Sequence, residues 1–417
     1  MRECFVHIIT PGQTTFVPAA RFQWHPDQDG LPLGRLVYGR RYLERLDAVP
    51  FDPLELPLTS RVYETRGLGG VFGALRDAAP DHWGRRVIQR HVRGIDLPEI
   101  DYLLQSPDDR AGALGFGLNA EPPAPKRDFN QTVDLAKLQA MAEAILADEE
   151  RMPNDPIAVQ AKDLLLIGTS MGGARPKTVV EANGELWLAK FNCATDRWNN
   201  ARVEHAMLRL AEACGLRVAA SIIEPIGNRD VLLVKRFDRE AVQGGYRRVR
   251  MLSALTLLRA GDTIHDRDLW SYPLLAEELR RLSARPKEDA QELFRRMAFN
   301  ALISNSDDHP RNHAFIALAG DWQLSPAYDL TPTSPPSLER RDLALACGDQ
   351  GRRANADNLL SQCGRFLLSR EAAAKILDDM ETQVSGRWYE VARREGVSER
   401  DCERIAGGFA YPGFRYT

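Results

Sequence analysis

A β-hairpin signal at Asn183–Gly184 constrains the fold more than any other feature of this sequence. The dipeptide joins two β-rich runs, KTVVEA and ELWLAKF, and Asn-Gly between such runs is the strongest short hairpin signal. A helical pattern follows, with apolar residues every three or four positions from Val203 to Cys214 and Gly215 as its stop. The buried-strand pattern DVLLVKRF comes next, and from about Met251 the patterns are mostly helical. The sequence therefore predicts a small β-rich lobe before a larger helical lobe, with a cleft between them as the expected site.

The length of 417 residues exceeds one ordinary core, so two or three domains are expected. A linker with three prolines, NAEPPAPKRDFNQT, runs from residue 119 to residue 132. Before it, FVHIIT and GRLVYG are strand-like, and residues 71–92 form one helix-like run. We predict an N-terminal domain over 1–120, a linker helix and β-rich ATP-binding lobe over 121–240, and a helical catalytic lobe over 241–417.

Composition limits the classes of function. Apolar residues make up 44% and charged residues 27% of the chain, as in ordinary soluble domains. The net charge of -3 argues against broad non-specific binding of nucleic acid by the chain alone. The six cysteines are far apart and indicate neither a disulfide framework nor a zinc site. No apolar run approaches 18 residues, so we expect a cytoplasmic protein without membrane contact.

Residues 302–316, LISNSDDHPRNHAFI, place many polar side chains between apolar flanks. Asp307 and Asn312 are five residues apart, as in the D-x-x-x-x-N catalytic loop of protein kinases. There, a carboxylate accepts or orients the proton of the attacking hydroxyl, and an amide oxygen holds a divalent ion. Asp329, seventeen residues further on, could supply a carboxylate to Mg²⁺. Asp308 is the rival base, one residue short of the kinase spacing.

The two histidines of this stretch allow another interpretation. His309 and His313 have the i, i+4 spacing of H-E-x-x-H zinc sites. Pro310 argues against a continuous helix, however, and the intervening glutamate is missing. We therefore disfavour zinc. His309 is predicted to orient the loop or the base, and a purely structural hydrogen-bonding histidine is the alternative.

The segment GTSMGGARPK, residues 168–177, is rich in glycine and precedes the hairpin. Glycines let backbone N–H groups approach phosphates closely. Gly172 and Gly173 are therefore predicted phosphate contacts, with the hydroxyl of Ser170 beside them. A plain turn is the alternative. Lys177 is a second predicted phosphate contact, with a solvated lysine as its alternative.

Lys190 ends an otherwise apolar strand, where an ammonium group needs a partner. Glu204, near the start of the next helix, is the predicted partner. The alternative is an edge-strand lysine that points to solvent. The order of strand lysine, helix glutamate, strand, helices, D-x-x-x-x-N and aspartate is that of protein kinases. It predicts a kinase-type phosphotransferase. The predicted fold class is α+β, a protein-kinase-like bilobal fold with an N-terminal α/β domain packed on it.

Taken together, these motifs resemble the HipA-type serine/threonine kinases, which are toxins of bacterial type II toxin–antitoxin modules. LRDAAPDHWGRRVI and DDRAGALGFG resemble the N-terminal signatures of that family. SMGGARPK, LAKF, LVKRFDR, SNSDDHPRN and LSPAYDLTPT follow in the order of the family's kinase part. The resemblance covers nearly the whole chain.

The resemblance implies roles for these residues in ATP- and Mg²⁺-dependent phosphoryl transfer. Asp307 would be the base, Asn312 and Asp329 would hold Mg²⁺, and Lys190 would contact the ATP phosphates. The backbone at Lys235–Phe237 would hydrogen-bond adenine, Asp238 would reach the ribose, and Ser170 would be an autophosphorylation site that switches the kinase off.

The resemblance also implies partners: a helix-turn-helix antitoxin, operator DNA reached through that antitoxin, and an essential protein as substrate, such as an aminoacyl-tRNA synthetase. Two alternatives stay open. Antibiotic kinases also carry Asp-x-x-x-x-Asn loops, so the chain could be a small-molecule phosphotransferase. It could also be a non-catalytic co-repressor that tunes the DNA binding of an antitoxin.

Overall fold

The computed structural model describes residues 2–91, 97–123, 129–146, 175–227, 229–318, 320–333 and 337–415. The chain divides into two compact units. The first contains residues 1–193, 235–252 and 316–321, and the second contains residues 194–234, 253–315 and 322–417. Each unit combines segments that are distant in sequence. The boundaries expected at residues 120 and 240 stay a prediction.

The first unit contains a five-stranded antiparallel sheet in the order β4-β3-β2-β1-β5. Its strands are β1 (Arg2–Ile8), β2 (Val17–Pro26), β3 (Pro32–Tyr38), β4 (Tyr63–Thr65) and β5 (Leu114–Gly117). Cys4, Val6 and Ile8 are fully buried at every second position of β1, the period that places side chains on one face of a sheet. The strand-like pieces FVHIIT and GRLVYG overlap β1 and β3, which confirms both predictions.

The helix-like run over residues 71–92 forms two helices, so its prediction as one run is wrong. These are α2 (Gly73–Asp77) and α3 (His82–His91), while α1 (Arg40–Leu43) and α4 (Glu99–Gln105) flank them in sequence. Pro80 separates α2 from α3, because proline has no backbone N–H and disfavours helical conformation in the preceding residue. Asp81 then starts α3 by accepting a hydrogen bond from the backbone N–H of Gly84 (2.8 Å).

The predicted hairpin is confirmed and also belongs to the first unit. β6 (Asn130–Gln131), α5 (Leu135–Leu146), β7 (Lys177–Ala182) and β8 (Glu185–Phe191) follow one another in the described chain. β7 pairs in parallel with β6 and antiparallel with β8. Asn183 and Gly184 both have positive φ, 55° and 76°, as a type I′ turn requires. Val179, Leu186 and Leu188 form a buried cluster against Phe129 and Tyr246, which lies in the hairpin of β11 (Arg239–Val242) and β12 (Gly245–Arg248).

The second unit is mostly helical. Its helices are α6 (Asn200–Ala213), α7 (Ala254–Leu257), α8 (Tyr272–Leu282), α9 (Pro286–Leu302), α10 (Ala356–Ser361), α11 (Arg370–Arg394) and α12 (Glu399–Ile405). β9 (Ser221–Ile226) pairs antiparallel with β10 (Arg229–Lys235), whose last residue belongs to the first unit. β13 (Arg250–Ser253), β14 (Ala314–Leu318) and β15 (Asp321–Leu324) have residues in both units. None of the described helices is both long enough and apolar enough to cross a membrane.

Helices α6 and α9 illustrate how sequence signals place elements of the second unit. Asn199 caps α6 by accepting a hydrogen bond from the N–H of Arg202, and Gly215 follows its end at a φ of 82°, as predicted. α9 begins with a proline at its first position. Its Phe294 is fully buried and meets the ring of Phe366 at 5.4 Å. This buried helix leads directly into the polar loop.

Candidate active site

The polar loop begins where α9 ends. Ser304 has a φ of 56°, a left-handed conformation that turns the chain out of the helix. The N–H of Asn305 then donates to the carbonyl of Asn300, one turn back in α9 (2.9 Å). The loop is therefore anchored on a buried helix rather than on mobile surface.

Asp307 and Asn312 lie on one tight turn. The Asn312 side-chain amide donates to the carbonyl oxygen of Asp307 (3.2 Å). The N–H of His309 donates to the same oxygen (2.8 Å), and a 3-10 turn follows at Pro310–Asn312. Because the side-chain N–H₂ group of Asn312 donates within the loop, its side-chain oxygen is the atom that could bind a ligand.

His309 and Arg311 fix this turn. Nδ1 of His309 accepts a hydrogen bond from the N–H of Arg311 (3.2 Å), so His309 caps the 3-10 turn. The Arg311 guanidinium makes a two-pronged contact with Asp262, at 3.0 Å from Nε and 2.6 Å from Nη2. Tyr328 donates its hydroxyl to the Arg311 carbonyl (2.8 Å). His309 thus supports the loop in this structure, and its role towards the base stays a prediction.

The environment of Asp307 suits a proton acceptor. Asp307 is an exposed residue, yet the surrounding protein partly desolvates its carboxylate and raises its pKa. The charges of Asp329 and Asp308 raise that pKa further, while His309 opposes them. In the described part of the chain, no side chain forms an ion pair or hydrogen bond with this carboxylate. A carboxylate with a raised pKa is a stronger base than an ordinary aspartate.

Asp329 is held to the same loop through its backbone. It has a φ of 56°, a conformation that costs a non-glycine residue about 1–3 kcal/mol and concentrates at functional sites. Asn305 donates its side-chain amide to the Asp329 carbonyl (3.3 Å) and to Oδ1 of Asn300 (3.1 Å). Thr333 donates its N–H to the carbonyl of Ser304 (3.0 Å). Sequence reasoning missed Asn305, although it lies within the SNSDDHPRN motif.

Asp308, the rival base, is directed into the interior. It is 1% exposed, and its Oδ2 accepts a hydrogen bond from the hydroxyl of Tyr272. Nε2 of His313 lies 3.0 Å from its Oδ1. Asn300 donates to the Tyr272 hydroxyl (3.1 Å), and burial together with Asp308 raises the pKa of Tyr272 well above its usual value. Asp308 therefore belongs to a buried network, which leaves Asp307 as the base candidate.

The side chains of Asn312 and Asp329 fit the preferences of Mg²⁺. They offer one amide oxygen and one carboxylate, and hard oxygen donors with only one or two carboxylates are typical of Mg²⁺ bound together with substrate phosphates. No group of three or more His, Cys, Asp or Glu side chains comes together as a metal site within the described residues. The zinc interpretation thus gains no support, because His313 contacts Asp308 instead.

Two predicted phosphate contacts lie opposite each other in the first unit. Lys177 of β7 and Lys190 of β8 are directly paired across the hairpin, so they share one face. Lys190 is 9% exposed. Lys177 is 2% exposed, and its Nζ donates to Oδ2 of Asp81 (2.8 Å). The alternative that Lys177 is exposed to solvent is therefore wrong. Its predicted phosphate contact is disfavoured, because Asp81 already binds its ammonium group.

The predicted nucleotide contacts after β10 are differently engaged. The side chain of Lys235 is paired with Glu185, and the N–H of Arg236 donates to the carbonyl of Leu186 (2.9 Å). Asp238 is 3% exposed, and both of its carboxylate oxygens accept hydrogen bonds from Arg236, at 2.9 and 2.8 Å. An Asp238 held in this way is poorly placed to reach a ribose, so we correct that assignment. Phe237 is partly buried.

Ser170, Gly172 and Gly173 lie outside the described residues, so their predicted roles stay predictions. Glu204 is buried in α6 of the second unit, whereas Lys190 belongs to the first. The predicted pairing of Lys190 with Glu204 therefore also stays a prediction.

A family model and several known proteins match this chain. Residues 169–388, more than half of the chain, match the family model described as the HipA-like C-terminal domain. The provisionally named kinase Y4mE of Sinorhizobium fredii is 26% identical over 349 residues, covering 77% of each chain. The serine/threonine-protein kinase toxin HipA of Shewanella oneidensis is 26% identical over 161 residues, covering 35% of this chain and 37% of that protein.

A solved structure shares the fold. A chain of the Shewanella oneidensis complex of HipA, HipB and operator DNA matches with a TM-score of 0.69 at 17% sequence identity, covering 97% of this chain and 94% of that one. This match confirms the predicted α+β, kinase-like fold class with its N-terminal domain. From the family model and the shared fold together, we conclude that this chain belongs to the HipA family.

Proposed function

We propose that this chain is an ATP- and Mg²⁺-dependent serine/threonine protein kinase. The observation that carries the proposal is the joining of Asp307, Asn312 and Asp329 by backbone and amide hydrogen bonds around one loop. Phosphoryl transfer needs positioning and charge neutralisation more than covalent chemistry, and a rigid loop of this kind supplies positioning.

Each residue has a distinct task in this proposal. Asp307 accepts the proton of the attacking hydroxyl, and the desolvation that raises its pKa favours that transfer. Asn312 and Asp329 would hold Mg²⁺, which neutralises phosphate charge when bound. Lys190 would contact the nucleotide phosphates. His309 and Arg311 keep the turn in shape.

In this proposal, the regulation and the partners of the chain are like those of the HipA family. Ser170 would be autophosphorylated, and the added charge of nearly two units would disfavour ATP beside it. The solved Shewanella protein is in a complex with HipB and operator DNA, so we propose a helix-turn-helix antitoxin of that kind for this chain. The substrate would be an essential protein, and an aminoacyl-tRNA synthetase is the class that the resemblance suggests.

Label transfer from γ-labelled ATP tests the proposal. Purified wild-type protein with Mg²⁺ should label itself or proteins of a cell extract, and Asp307→Ala should abolish the label. Asp321→Ala, at an exposed carboxylate, is the matched control and should retain it. Intact ATP binding without any protein label would contradict the proposal. Label found only on small molecules would instead support a small-molecule phosphotransferase, and antitoxin binding without any transfer would support a co-repressor.

A further inference from the structure

The hydroxyl of Tyr272 joins two sets of hydrogen bonds behind the polar loop, within the second unit. It donates to Oδ2 of Asp308 and accepts from the side-chain amide of Asn300 (3.1 Å). Tyr272 and Asn300 are fully buried, and Asp308 is 1% exposed. Burial, and after it the charge of Asp308, raise the pKa of Tyr272 well above its usual value, so this hydroxyl keeps its proton and remains the donor to Asp308. None of the roles proposed above uses it.

The first set of hydrogen bonds leads from Tyr272 to the proposed base. Asp308 directly follows Asp307 in the chain, and its carboxylate lies between the Tyr272 hydroxyl and Nε2 of His313, which is 3.0 Å from Oδ1. Asp307 itself is held in the described structure through its backbone carbonyl rather than its carboxylate. The direction of the Asp307 side chain therefore depends on its backbone, and the buried side chain of Asp308 fixes that backbone from the interior.

The second set leads from Tyr272 to Asp329, the proposed Mg²⁺ ligand. Oδ1 of Asn300 accepts a hydrogen bond from the side-chain amide of Asn305 (3.1 Å), and the same amide donates to the backbone carbonyl of Asp329 (3.3 Å). Asp329 has a φ of 56°, and a non-glycine residue stays in this conformation only where its surroundings hold it there. Asn300 and Asn305 supply part of that hold.

The backbone and the ring of Tyr272 are fixed as well. Its N–H donates to the carbonyl of Ala346 (2.9 Å), and the N–H of Ala346 donates to the carbonyl of Trp270 (2.8 Å). The ring makes an edge-to-face contact with the ring of His313, with the two centres 5.3 Å apart. Connected buried hydrogen bonds strengthen one another and make a region rigid. The hydroxyl is therefore a fixed point, from which one set of hydrogen bonds runs to the base and the other to the metal ligand.

We propose that Tyr272 is a positioning residue for phosphoryl transfer, whose hydroxyl sets where Asp307 and Asp329 stand relative to each other. This inference rests on the proposed kinase function and adds that the base and the Mg²⁺ ligand are positioned jointly. Their relative placement matters, because a displacement of about 1 Å in a catalytic site can lower the rate about 10²-fold. Loss of the hydroxyl should thus change both the rate and the use of Mg²⁺, whereas a break in one set should mainly change one of them.

Initial rates of label transfer from γ-labelled ATP, measured with the full chain over a series of Mg²⁺ and ATP concentrations, test this role in Tyr272→Phe. The substitution keeps the ring and removes only the hydroxyl. We expect the rate at saturating Mg²⁺ and ATP to fall about tenfold or more and the half-saturating Mg²⁺ concentration to rise several-fold. The KM for ATP at saturating Mg²⁺ should stay near the wild-type value, because the hydroxyl acts on the base and the metal ligand.

Two further variants break one set of hydrogen bonds each. Asp308→Ala removes the acceptor beside the base and should mainly lower the rate at saturating Mg²⁺. Asn305→Ala removes the donor to the Asp329 carbonyl and should mainly raise the half-saturating Mg²⁺ concentration, with a smaller loss of rate once Mg²⁺ is saturating.

Tyr38→Phe is the matched control. Tyr38 of β3 is 3% exposed, and its hydroxyl donates to the carbonyl of Leu56 (2.8 Å) and accepts from the N–H of Phe51 (3.0 Å). Its loss therefore also leaves buried polar groups unsatisfied. Tyr38→Phe and Tyr272→Phe should both lower the unfolding temperature, but only Tyr272→Phe should change the rate and the Mg²⁺ requirement.

The outcomes separate this positioning role from the proposed function. Kinetic changes in Tyr272→Phe that are no larger than those in Tyr38→Phe would show that the hydroxyl is only structural and would overturn the assignment. Indistinguishable effects of Asp308→Ala and Asn305→Ala on the rate and the Mg²⁺ requirement would also overturn it, and this pair decides the question if Tyr272→Phe does not fold. Absence of transfer by the wild-type protein would instead reject the proposed function itself.

Discussion

Asp238 in the first unit and Asp307 in the second are the same residue type in opposite environments. Burial by itself would raise the pKa of Asp238, but Arg236 and Arg239 outweigh it and hold that pKa well below its usual range. Asp307 reaches solvent, and desolvation together with neighbouring carboxylates raises its pKa.

The difference separates a structural carboxylate from a reactive one. Oδ2 of Asp238 accepts hydrogen bonds from Arg239 (2.7 Å) and the N–H of Gly112 (2.9 Å), in addition to Arg236. A carboxylate so fully bonded stabilises the fold and is a weak base. Asp307 keeps its basicity because the loop positions it through backbone atoms.

Asp307→Asn should give the largest effect, on rate alone. Loss of a general base reduces kcat by about 10²–10⁴-fold. The free energy of unfolding should stay at the wild-type value or rise slightly, because the neutral amide avoids the cost of an ionised carboxylate there. Label transfer and urea unfolding of the same preparation measure the two quantities. A large loss of stability would show that Asp307 is structural after all.

Asp238→Ala should instead lower the free energy of unfolding. Removing one partner of a buried ion pair leaves uncompensated charge on Arg236 and Arg239 and costs about 3–5 kcal/mol of unfolding free energy. Urea unfolding measures this, with Asp321→Ala as the exposed control. If Asp238 were a ribose ligand, the variant would instead raise the KM for ATP at unchanged stability, and our correction of its role would fail.

The stabilising effect of Asp238 should also depend on pH in a fixed direction. Because its folded pKa is lowered, its contribution is present above the ordinary carboxyl pKa and is lost as pH falls towards the folded value. The difference in unfolding free energy between wild type and Asp238→Ala should therefore shrink on acidification below about pH 4. A difference that grows in acid would contradict the ion-pair explanation.

Tyr272→Phe tests the buried network behind the loop. It removes the donor to Asp308 and the acceptor of Asn300, and leaving buried polar groups unsatisfied costs about 1–3 kcal/mol. Thermal unfolding should report this loss, and Tyr389→Phe, at a half-exposed ring, should be neutral. Equal effects of the two substitutions would mean that the network adds no stability.

Arg311→Lys should have the smallest effect. A lysine cannot reproduce the two-pronged contact with Asp262, but this pair is partly exposed and such pairs contribute about 1 kcal/mol or less. We expect nearly unchanged unfolding and a kcat lowered a few-fold because the turn loosens. An unchanged kcat would show that the contact does not position the base.

Much of the fold was predictable because its signals are local. The Asn183–Gly184 turn, the stop of α6 at Gly215 and the Asp307–Asn312 spacing each depend on neighbours within a few residues. The helix-like run predicted over residues 71–92 is interrupted at Pro80, and a proline in a helical pattern is itself a local signal for such a break.

The roles of individual charges were less predictable, because their partners are distant in sequence. Lys177 pairs with Asp81, 96 residues away, and Asp238 accepts from Gly112, 126 residues away. No local sequence pattern indicates these partners. Lys177 and Asp238 were therefore predicted to contact ATP instead.

The sequence by itself determined the order of the elements, the hairpin, the polar loop with the candidates Asp307 and Asn312, and the later candidate Asp329. Only the tertiary structure decided which of two adjacent aspartates faces solvent. Asp308 enters a buried network with Tyr272, 36 residues away, whereas Asp307 remains outside. The physical reason is that a buried carboxylate requires partners, and only folding brings those partners together.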